Sequence, residues 1–600
     1  MVSNRYIKYS EYFLSGLFPA GVFIFYAFFY NSHLHFEEQF KLFLLSGDFL
    51  ADKLKQPGGF IGYIGGFLTQ FYYISLAGPA IIAIVLFAFQ QIIKKILEIC
   101  NPERVLYPLS FFPPFLGAII LLDEFYPFSA IIGTMLAALA GWLYVSTGGE
   151  KMRFMTGLIL IPLMYWLGGG AYLCMVMIMI VYELIHLIRY DHGQSGHLYY
   201  KAGRLVIIAA LTAIIPFISG RLLILKPGFN SVMGEFYYNK LMVVPVLILV
   251  LFLLIPGLML LAFLLSVRKE RTRIFLAAQI ILIIGFLYTG IKIFANFEAE
   301  EIMTYDQLVR NSKWPEVLKY AERKPPRNFL SLAMLNLSLA KTERMGDQMF
   351  SYDQHGVNGL FLKFDKEYVS PMLGNEIFYQ LGLTNASQEY AFESMETIPD
   401  MGKSSRAIKR LAETNLINGQ YKVSEKYLHL LEKTIFYRKW AVQTLSYLGD
   451  EDKINGDPEW GTRRQFAVLG DYFFHVENIE ASLNRMVKEH PDNRIAFEYL
   501  MAFYMIRKDL RNVANLIPLM ERYRYNTVPV SYQEALLYII VLNGGDPFAD
   551  SPAYISESTK SRMSVFSDIY SNYRDADERL KNNFGATYWY YLLYNGENLN

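Results

Sequence analysis

The sequence predicts an all-α protein in two parts: a polytopic transmembrane domain over residues 1–298 and a helical-repeat domain over residues 299–600. Charge is the first observation behind this division. Residues 1–300 hold 21 Lys/Arg and 16 Asp/Glu, whereas residues 301–600 hold 35 and 39. The second observation is that apolar runs of about 20 residues, the length that crosses a hydrocarbon core, occur repeatedly in the first half only. The third is that apolar residues of the second half recur with helical spacing, with little strand alternation.

About nine membrane spans are predicted from the apolar runs. They cover residues 12–30, 72–93, 105–122, 128–146, 154–169, 171–188, 204–220, 242–265 and 274–295. The fifth and sixth runs are separated only by "LGGG" (167–170), which fits either a tight hairpin or a broken helix. Nothing at the N-terminus resembles a cleavable signal, so the first run is expected to remain as a helix.

The distribution of Lys and Arg between the loops predicts the orientation. With the N-terminus in the cytoplasm, the inner segments hold fourteen Lys/Arg and the outer loops hold six, and "SVRKERTR" (266–273) is a strong inner anchor. An odd number of spans then places everything after about residue 297 outside. The whole second domain is therefore expected to be extracytoplasmic.

The outer loop at 31–71 is predicted to contain two amphipathic helices that lie flat on the outer leaflet. Its first apolar face is formed by Phe36, Phe40, Phe43 and Leu44, which follow the i, i+4, i+7, i+8 spacing of a helix. Glu37 and Lys41 form an i, i+4 pair on another face. In the second helix Asp48 is the expected N-cap, and Leu50 and Leu54 are the apolar residues.

Helical hairpins are predicted in series along the second domain. The clearest are residues 404–434, with a turn at "NGQY", and residues 493–523, with a turn near "RKD". A shorter pair covers residues 305–325, with Trp314 opening its second helix. These units resemble tetratricopeptide repeats, which cannot bury a core alone and stack into a solenoid with a concave binding surface. The tail "ATYWYYLLYNGENLN" is expected to add a final helix.

Glu37 and Glu38 are the candidate catalytic residues. They come directly after the first span, where a carboxylate can act as a general base at an outer-leaflet cavity. A carboxylate there can also hold a divalent cation. The same residues fit a second interpretation, in which they are only the solvated face of an interfacial helix.

Asp123 and Glu124 are a second acidic pair, in the outer turn "LLDEFYPF" between the third and fourth spans. Aromatic residues beside them are typical of a membrane interface. The pair is a candidate for substrate binding if it faces the first pair across one cavity. Alternatively, it is the polar turn that any two adjacent spans need.

The outer loop after the seventh span supplies further candidate substrate-binding residues. Arg221, Lys226 and Lys240 are among the few outer cations, and cations here can bind a lipid phosphate or pyrophosphate. Tyr237 and Tyr238 can stack on a sugar. Contact with phospholipid headgroups explains the cations equally well.

Other classes of function are excluded by composition. The net charge of +1 argues against nucleic acid as a partner, and no phosphate-binding glycine loop is present. His33 and His35 flank the first acidic pair, but no metal site is assigned to them. Cys100 and Cys174 are predicted near opposite ends of different spans, so no disulfide is expected.

The early layout resembles the first module of GT-C glycosyltransferases, which take sugars from polyprenyl-phosphate donors. It comprises an inner N-terminus, one span, and an outer loop with amphipathic helices and early carboxylates. The resemblance implies a base or metal ligand at Glu37 or Glu38 and a second acidic site at Asp123 or Glu124. A GT-C-like domain with a tetratricopeptide-like tail is also similar to an O-mannosyltransferase-type architecture. More narrowly, "QPGGFIGYIGGFLTQFYY" (56–73) resembles an uncharacterised Bacteroidetes family of multi-pass proteins.

The expected function is that of a membrane glycosyltransferase-like protein. Its partners would be the lipid bilayer, a lipid-linked sugar donor, and an envelope protein or polymer bound by the solenoid. Its location would be the bacterial inner membrane, with the C-terminal domain in the periplasm. Two alternatives remain open: a non-enzymatic membrane scaffold for envelope proteins, and a polymerase or ligase of envelope polysaccharide. Cofactor use, beyond a possible divalent cation, is not predicted.

Overall fold

A computed structural model describes residues 2–190, 195–223, 232–234, 246–265, 272–363, 368–398, 402–467, 478–523, 525 and 527–595. Within these ranges the regular structure is entirely helical, and no strand occurs. The predicted all-α class is therefore confirmed. Contacts divide the chain into two compact units. The first comprises Met1–Phe297, Pro399–Gly402 and Lys433–Arg438; the second comprises Glu298–Ile398, Lys403–Glu432 and Lys439–Asn600.

The first unit is built mainly from long apolar helices. Its helices are α1 (Val2–Phe28), α2 (Asn31–Gln39), α3 (Gly47–Leu54), α4 (Gly59–Gln70), α5 (Ala77–Cys100), α6 (Phe112–Ile120), α7 (Phe128–Ser146), α8 (Glu150–Gly168), α9 (Tyr172–Tyr190), α10 (Ser195–Ile218), α11 (Val246–Leu264) and α12 (Thr272–Phe294). Short 3₁₀ segments cover Phe71–Tyr73, Arg104–Phe111 and Gly169–Ala171, and a π-helical turn covers Ser219–Leu223.

Seven segments of the described chain are long and apolar enough to cross a membrane. They are Ile7–Phe28, Ala77–Cys100, Phe128–Ser146, Glu150–Arg189, Ala202–Leu223, Val246–Leu264 and Thr272–Phe294. Such helices indicate a multi-pass membrane protein, because each helix satisfies its own backbone hydrogen bonds in lipid. The predicted third span corresponds to a shorter apolar segment, Arg104–Ile120, in which a 3₁₀ helix containing Pro108 precedes α6. The total of nine spans therefore stays a prediction.

The glycine run between α8 and α9 forms a hairpin. Arg153, near the start of α8, donates to Glu183, near the end of α9, with 2.6 Å between Nε and Oε1. Two residues so far apart in sequence can meet only if the two helices run antiparallel. At 1.5 Å per residue, the 40 residues of Glu150–Arg189 would in any case be about 60 Å long as one helix, twice the thickness of a hydrocarbon core.

The predicted pair of interfacial helices differs from the structure in its first member. In α2, every residue from Ser32 to Gln39 is buried, so Glu37 and Glu38 do not form a solvated face. The helix also ends at Gln39, which leaves Phe43 and Leu44 outside it. The spacing rule was misleading because it identifies one apolar face and says nothing about what covers the other.

The second predicted helix of this loop is observed as α3. It contains no buried residue among Gly47–Leu54, in contrast to α2. Its N-cap is Ser46, whose Oγ accepts from the Phe49 backbone N–H at 3.3 Å, and not Asp48, which lies in the first turn. Asp48 still stabilises the helix there through the macrodipole.

The helix α4 packs closely on α7. A Cβ at Gly65 would lie 2.6 Å from the Ser129 Cβ, so only glycine allows this approach. At the end of α4, the Gln70 side-chain Nε2 donates to the Lys41 carbonyl at 2.8 Å. This hydrogen bond attaches the segment after α2 to α4, which is itself packed on α7.

The second unit consists of shorter helices. They are α13 (Phe297–Arg310), α14 (Trp314–Arg323), α15 (Phe329–Lys341), α16 (Met345–Gln348), α17 (Val369–Leu381), α18 (Thr384–Glu396), α19 (Ser405–Ile417), α20 (Tyr421–Glu432), α21 (Arg438–Leu445), α22 (Glu451–Asn455), α23 (Trp460–Gln465), α24 (Ile479–Glu489), α25 (Arg494–Ile506), α26 (Leu510–Leu516), α27 (Val530–Leu542), α28 (Glu557–Asn572), α29 (Ala576–Phe584) and α30 (Tyr588–Tyr594). Three 3₁₀ segments cover Met349–Ser351, Gly356–Gly359 and Ile517–Tyr523.

The three helical hairpins predicted in this half are observed as α13–α14, α19–α20 and α25–α26. Side-chain caps explain two of the helix starts: the Ser404 Oγ accepts from the Ala407 N–H at 3.1 Å, and the Asn493 Oδ1 accepts from the Ala496 N–H at 3.2 Å. Trp314 opens α14, and the tail forms α30, as the sequence predicts. The tetratricopeptide class and the solenoid remain predictions.

Candidate functional site

The candidate site is built around α2, which follows α1 after a two-residue break. Its position is fixed by polar contacts to the turn before α5. Asn31 Nδ2 donates to the Ser75 carbonyl at 2.7 Å, and His35 Nε2 lies 3.0 Å from the Ser75 Oγ. Gln39 Nε2 donates back to the His35 carbonyl at 2.7 Å. The polar residues of α2 are thus held inside the first unit and not presented to solvent.

Glu37 is a buried carboxylate with one cationic partner and one anionic neighbour. Only 2 % of its surface is exposed, and it forms an ion pair with Lys41. Burial raises the pKa of Glu37, the Lys41 charge and hydrogen bond oppose that rise, and the charge of Asp123 adds to it. The expected i, i+4 pair is therefore present, in a buried setting that makes Glu37 easier to protonate.

Glu38 is more deeply buried than Glu37, with no exposed surface. A charged carboxylate in such a place requires compensation by neighbouring polar groups, since desolvation of an ion is costly. Substitutions of Glu38 therefore test structure as well as function, which makes Glu37 the better probe of chemistry.

Asp123 and Glu124 lie in the turn between α6 and α7, and both are half-buried. Asp123 Oδ1 accepts from the Phe125 backbone N–H at 2.9 Å. Burial raises the pKa of Asp123, and this hydrogen bond opposes the rise. Because the charge of Asp123 contributes to the raised pKa of Glu37, one member of each predicted acidic pair lies within electrostatic range of the other.

Of the predicted outer cations and tyrosines, the structure describes Arg221. Arg221 lies in the π-helical turn, is exposed, and sits with its guanidinium carbon 4.6 Å from the Phe217 ring centroid. Within the described residues no hydrogen bond or ion pair joins Arg221 to Glu37 or Asp123. Lys226, Lys240, Tyr237 and Tyr238 lie outside the described residues.

Several residues around Glu37 were not predicted as part of the site. His33 is fully buried one helical turn before Glu37, and burial, together with the nearby Lys41 charge, lowers its pKa to about 3. His33 is therefore neutral at physiological pH. Its ring centroid lies 4.6 Å from that of Tyr30. In the sequence, the spacing of four residues between His33 and Glu37 indicates that the two side chains lie on the same face of a helix. That face can be recognised as buried only in the structure.

Tyr72 is a neighbour of Glu37, which with Asp123 forms the acidic cluster, and of Tyr26, which lies near the end of α1. It is 1 % exposed, and its pKa is raised well above the usual value by burial first and then by the nearby Glu37 and Tyr26. Tyr26 donates through its hydroxyl to the Ala118 carbonyl at 2.6 Å, and Tyr30 donates to the Leu122 carbonyl at 3.0 Å. These two hydrogen bonds hold the end of α1 and the residues after it against α6 and Leu122, which directly precedes Asp123.

An apolar cavity of about 430 Å³ is lined in part by Tyr26, Ala118 and Leu122, which take part in these hydrogen bonds. Its walls come from α1, from the 3₁₀ helix and α6 that follow α5, and from α12. Lining residues include Val22, Tyr26, Ala118, Leu122 and Leu287. Its volume is within the range of ligand sites of roughly 300–1,000 Å³. Tyr26 lines the cavity and is also an electrostatic neighbour of Glu37 and Tyr72, so the cavity lies near these residues.

Comparison with known proteins gives one match. A family described as "Family of unknown function (DUF6057)" matches residues 5–595. The chain belongs to this DUF6057 family. No curated protein and no solved structure matches it. The family description assigns no activity, so what this DUF6057 member does must be argued from its own residues.

In this DUF6057 chain the cluster can accept a proton and bind a polar group at the end of an apolar cavity. Glu37 is the carboxylate that can accept the proton, Lys41 is its ion-pair partner, and the charge of Asp123 raises the pKa of Glu37. Among the described residues, no group of three or more His, Cys, Asp or Glu side chains is arranged to hold a metal ion.

Proposed function

We propose that this protein is a membrane glycosyltransferase that uses a lipid-linked sugar donor. The observation that carries the proposal is that Tyr26, which lines the apolar cavity, is an electrostatic neighbour of the buried Glu37 carboxylate. In this proposal the polyprenyl chain of the donor occupies the cavity, and the phosphate and sugar lie beside Glu37 and Asp123. The resemblance to GT-C enzymes favours the same arrangement.

The cavity supports a lipid substrate because of its composition. Apolar side chains supply the lining almost entirely, and they can pack against an isoprenoid chain that enters from the bilayer. A water-soluble donor gains nothing from such a surface. A lipid-linked donor gains affinity from the cavity and leaves only its head group for polar recognition.

Glu37 supports transfer chemistry because its pKa is raised toward neutrality. The acceptor hydroxyl oxygen would form a bond to the anomeric carbon of the sugar while its proton passes to the Glu37 carboxylate. The bond between that carbon and the phosphate oxygen would break, and the carrier phosphate would leave with the electron pair. Glu38 is the alternative base, and Lys41 lies where it can balance the leaving phosphate.

The second unit is proposed to hold the acceptor, an envelope protein or polymer. Helical hairpins in series support a binding role, since stacked hairpins form extended surfaces. The proposed location is the bacterial inner membrane with this unit in the periplasm, as the Lys/Arg asymmetry predicts.

The experiment uses the full chain in lipid nanodiscs and a panel of polyprenyl-phosphate-linked hexoses. Release of polyprenyl phosphate is measured for the wild-type protein and for Glu37→Gln. Loss of a general base should reduce the rate roughly 10²–10⁴-fold. Asp52→Asn is the matched control, since Asp52 is also an acid paired with a nearby lysine, Lys55, but is exposed on α3.

Two results would count against the proposal. If donor binds and Glu37→Gln retains the wild-type rate at equal abundance, the carboxylate is structural. If no lipid-linked donor binds the wild-type protein, the membrane-scaffold alternative is favoured, with the second unit recruiting envelope proteins. Pyrophosphate-linked oligosaccharides, added as a separate arm, test the polymerase or ligase alternative.

A further inference from the structure

Three helices of the second unit meet at Tyr379, on α17. The guanidinium carbons of Arg410 and Arg463 lie 3.4 Å and 4.2 Å from its ring centroid. Only 1 % of Tyr379 is exposed, and its hydroxyl makes no hydrogen bond with any residue that the structure describes. A buried hydroxyl without an acceptor is unfavourable, so this phenol indicates a place for a ligand atom.

The two arginines differ in how fully they are paired. Arg410 donates to Glu376 Oε2 at 2.7 Å and to Glu413 Oε2 at 2.9 Å, which balances its charge. Among the described residues, Arg463 donates to two neutral oxygens, the Gln380 Oε1 at 2.7 Å and the Glu459 carbonyl at 3.2 Å.

Arg463 therefore keeps both charge and donor capacity. Its Nε is buried and has no acceptor in the described part of the chain. Across the same ranges, no carboxylate lies within ion-pair distance of its guanidinium.

Lys341, at the end of α15, adds a second cation with the same property. In the described ranges its ammonium has no hydrogen-bond acceptor and no ion-pair partner, and it lies 5.6 Å from the Trp314 ring centroid. Burial and then the positive charge of Arg463 lower the pKa of Lys341, which the nearby Glu459 and Glu376 oppose. Lys341 is half-buried, so its ammonium is accessible to a reagent in solution.

We propose that Tyr379, Arg463 and Lys341 bind one carboxylate group of a ligand. The phenol O–H and the Arg463 Nε–H supply two buried donors, which matches the two oxygens of a carboxylate. A single negative charge fits better than the double charge of a phosphate, since Glu376, Glu413 and Glu459 are close by. This inference is independent of the transferase proposal, because it uses only residues of the second unit.

The test measures the rate at which acetic anhydride acylates Lys341 in the full chain, by mass spectrometry of the Lys341 peptide. Sodium acetate, sodium phosphate and sodium chloride are compared at equal ionic strength. Acetate should slow acylation of Lys341 several-fold relative to chloride, because a bound carboxylate covers the ammonium and favours its protonated form.

Lys508 is the control lysine. Its pKa is also lowered by burial, but its ammonium already donates to the Leu592 carbonyl at 2.8 Å. Acylation of Lys508 should proceed at the same rate in all three salts. Equal slowing of both lysines by acetate would overturn the proposal, as would an absence of protection at Lys341.

The variant Tyr379→Phe makes the test specific. It removes a hydroxyl that has no described partner, so folding should be preserved, while acetate protection should require roughly tenfold more acetate. Unchanged protection in Tyr379→Phe would remove the phenol from the site and overturn the assignment. Stronger protection by phosphate than by acetate would overturn the choice of carboxylate.

Discussion

Glu37 in α2 and Asp123 in the turn after α6 are electrostatic neighbours, and the charge of Asp123 raises the pKa of Glu37. Lys41 acts on the same carboxylate in the opposite direction. One buried acid thus receives opposing influences from two side chains, and each can be removed separately. This relationship gives a sharper test of the site than loss of activity alone.

The first prediction concerns the pH dependence of transfer. A general base must be deprotonated, so the rate falls at low pH as Glu37 takes up a proton. Asp123→Asn removes a charge that raises the pKa of Glu37, so the acidic limb of the pH–rate profile should move to lower pH. Lys41→Gln removes a charge that lowers this pKa, so the limb should move to higher pH.

The measurement is kcat/KM for the lipid-linked donor across pH 4–9. Asp52→Asn, on exposed α3, should leave the limb unchanged. Shifts of the same sign in Asp123→Asn and Lys41→Gln would exclude Glu37 as the titrating base.

The second prediction concerns the apolar cavity. Gly21 lines it, and a Cβ there would meet nothing within 4 Å, so Gly21→Phe should project into the cavity without disturbing α1. If the ring fills space that the isoprenoid chain of the donor occupies, KM should rise several-fold with kcat little changed. Gly16→Phe is the matched control. It lies on the same helix with equally open space, but Gly16 does not line the cavity.

The fold class followed from the sequence because apolar periodicity and length report directly on helices. The hairpins α13–α14, α19–α20 and α25–α26 lie within the predicted ranges because caps and turns are local signals. Arg104–Ile120 was harder to interpret, since its apolar composition predicts a span while Pro108 and the 3₁₀ geometry shorten it. The α8–α9 hairpin depends on the Arg153–Glu183 ion pair, and one sequence does not identify such a pair.

The candidate site was predictable only in part. Position after the first span identified Glu37, and the turn identified Asp123. Their proximity depends on tertiary packing, which no local pattern encodes. The burial of α2 reversed the expectation of a solvated face, and with it the roles of His33 and Tyr72 as neighbours of the acid became visible.

The third prediction concerns topology. If all nine predicted segments cross the membrane, a reporter fused after residue 600 should be active only outside the cytoplasm. The uncertain member is Arg104–Ile120. A second reporter inserted after Gly148, between α7 and α8, should be cytoplasmic if this segment spans and external if it does not. A cytoplasmic signal from the first reporter would contradict the predicted location of the second unit.

The last prediction concerns two buried glutamates of the second unit. The pKa of Glu498 is raised by burial to about 7, against the opposing ion pair with Arg494 and the hydrogen bond from the Tyr525 hydroxyl. The pKa of Glu534 is likewise raised by burial to about 7. Through these two carboxyls the folded state binds more protons than the unfolded state between about pH 4.5 and 7. Over that window their contribution to the free energy of unfolding falls as pH rises.

Each glutamate should contribute a loss of roughly 3 kcal/mol across this window, at about 1.36 kcal/mol per pKa unit. Glu498→Gln cannot ionise, and its side-chain carbonyl still accepts from Tyr525, so about half of the pH dependence should disappear. Hydrogen exchange of the Arg494–Ile506 peptide in the full chain, corrected for intrinsic rates, measures this pH dependence locally. Glu480→Gln, at a more exposed site on α24, should behave as wild type. If the pH dependence of protection between pH 5 and 7 is the same in the wild-type protein and in Glu498→Gln, the raised pKa of Glu498 is wrong.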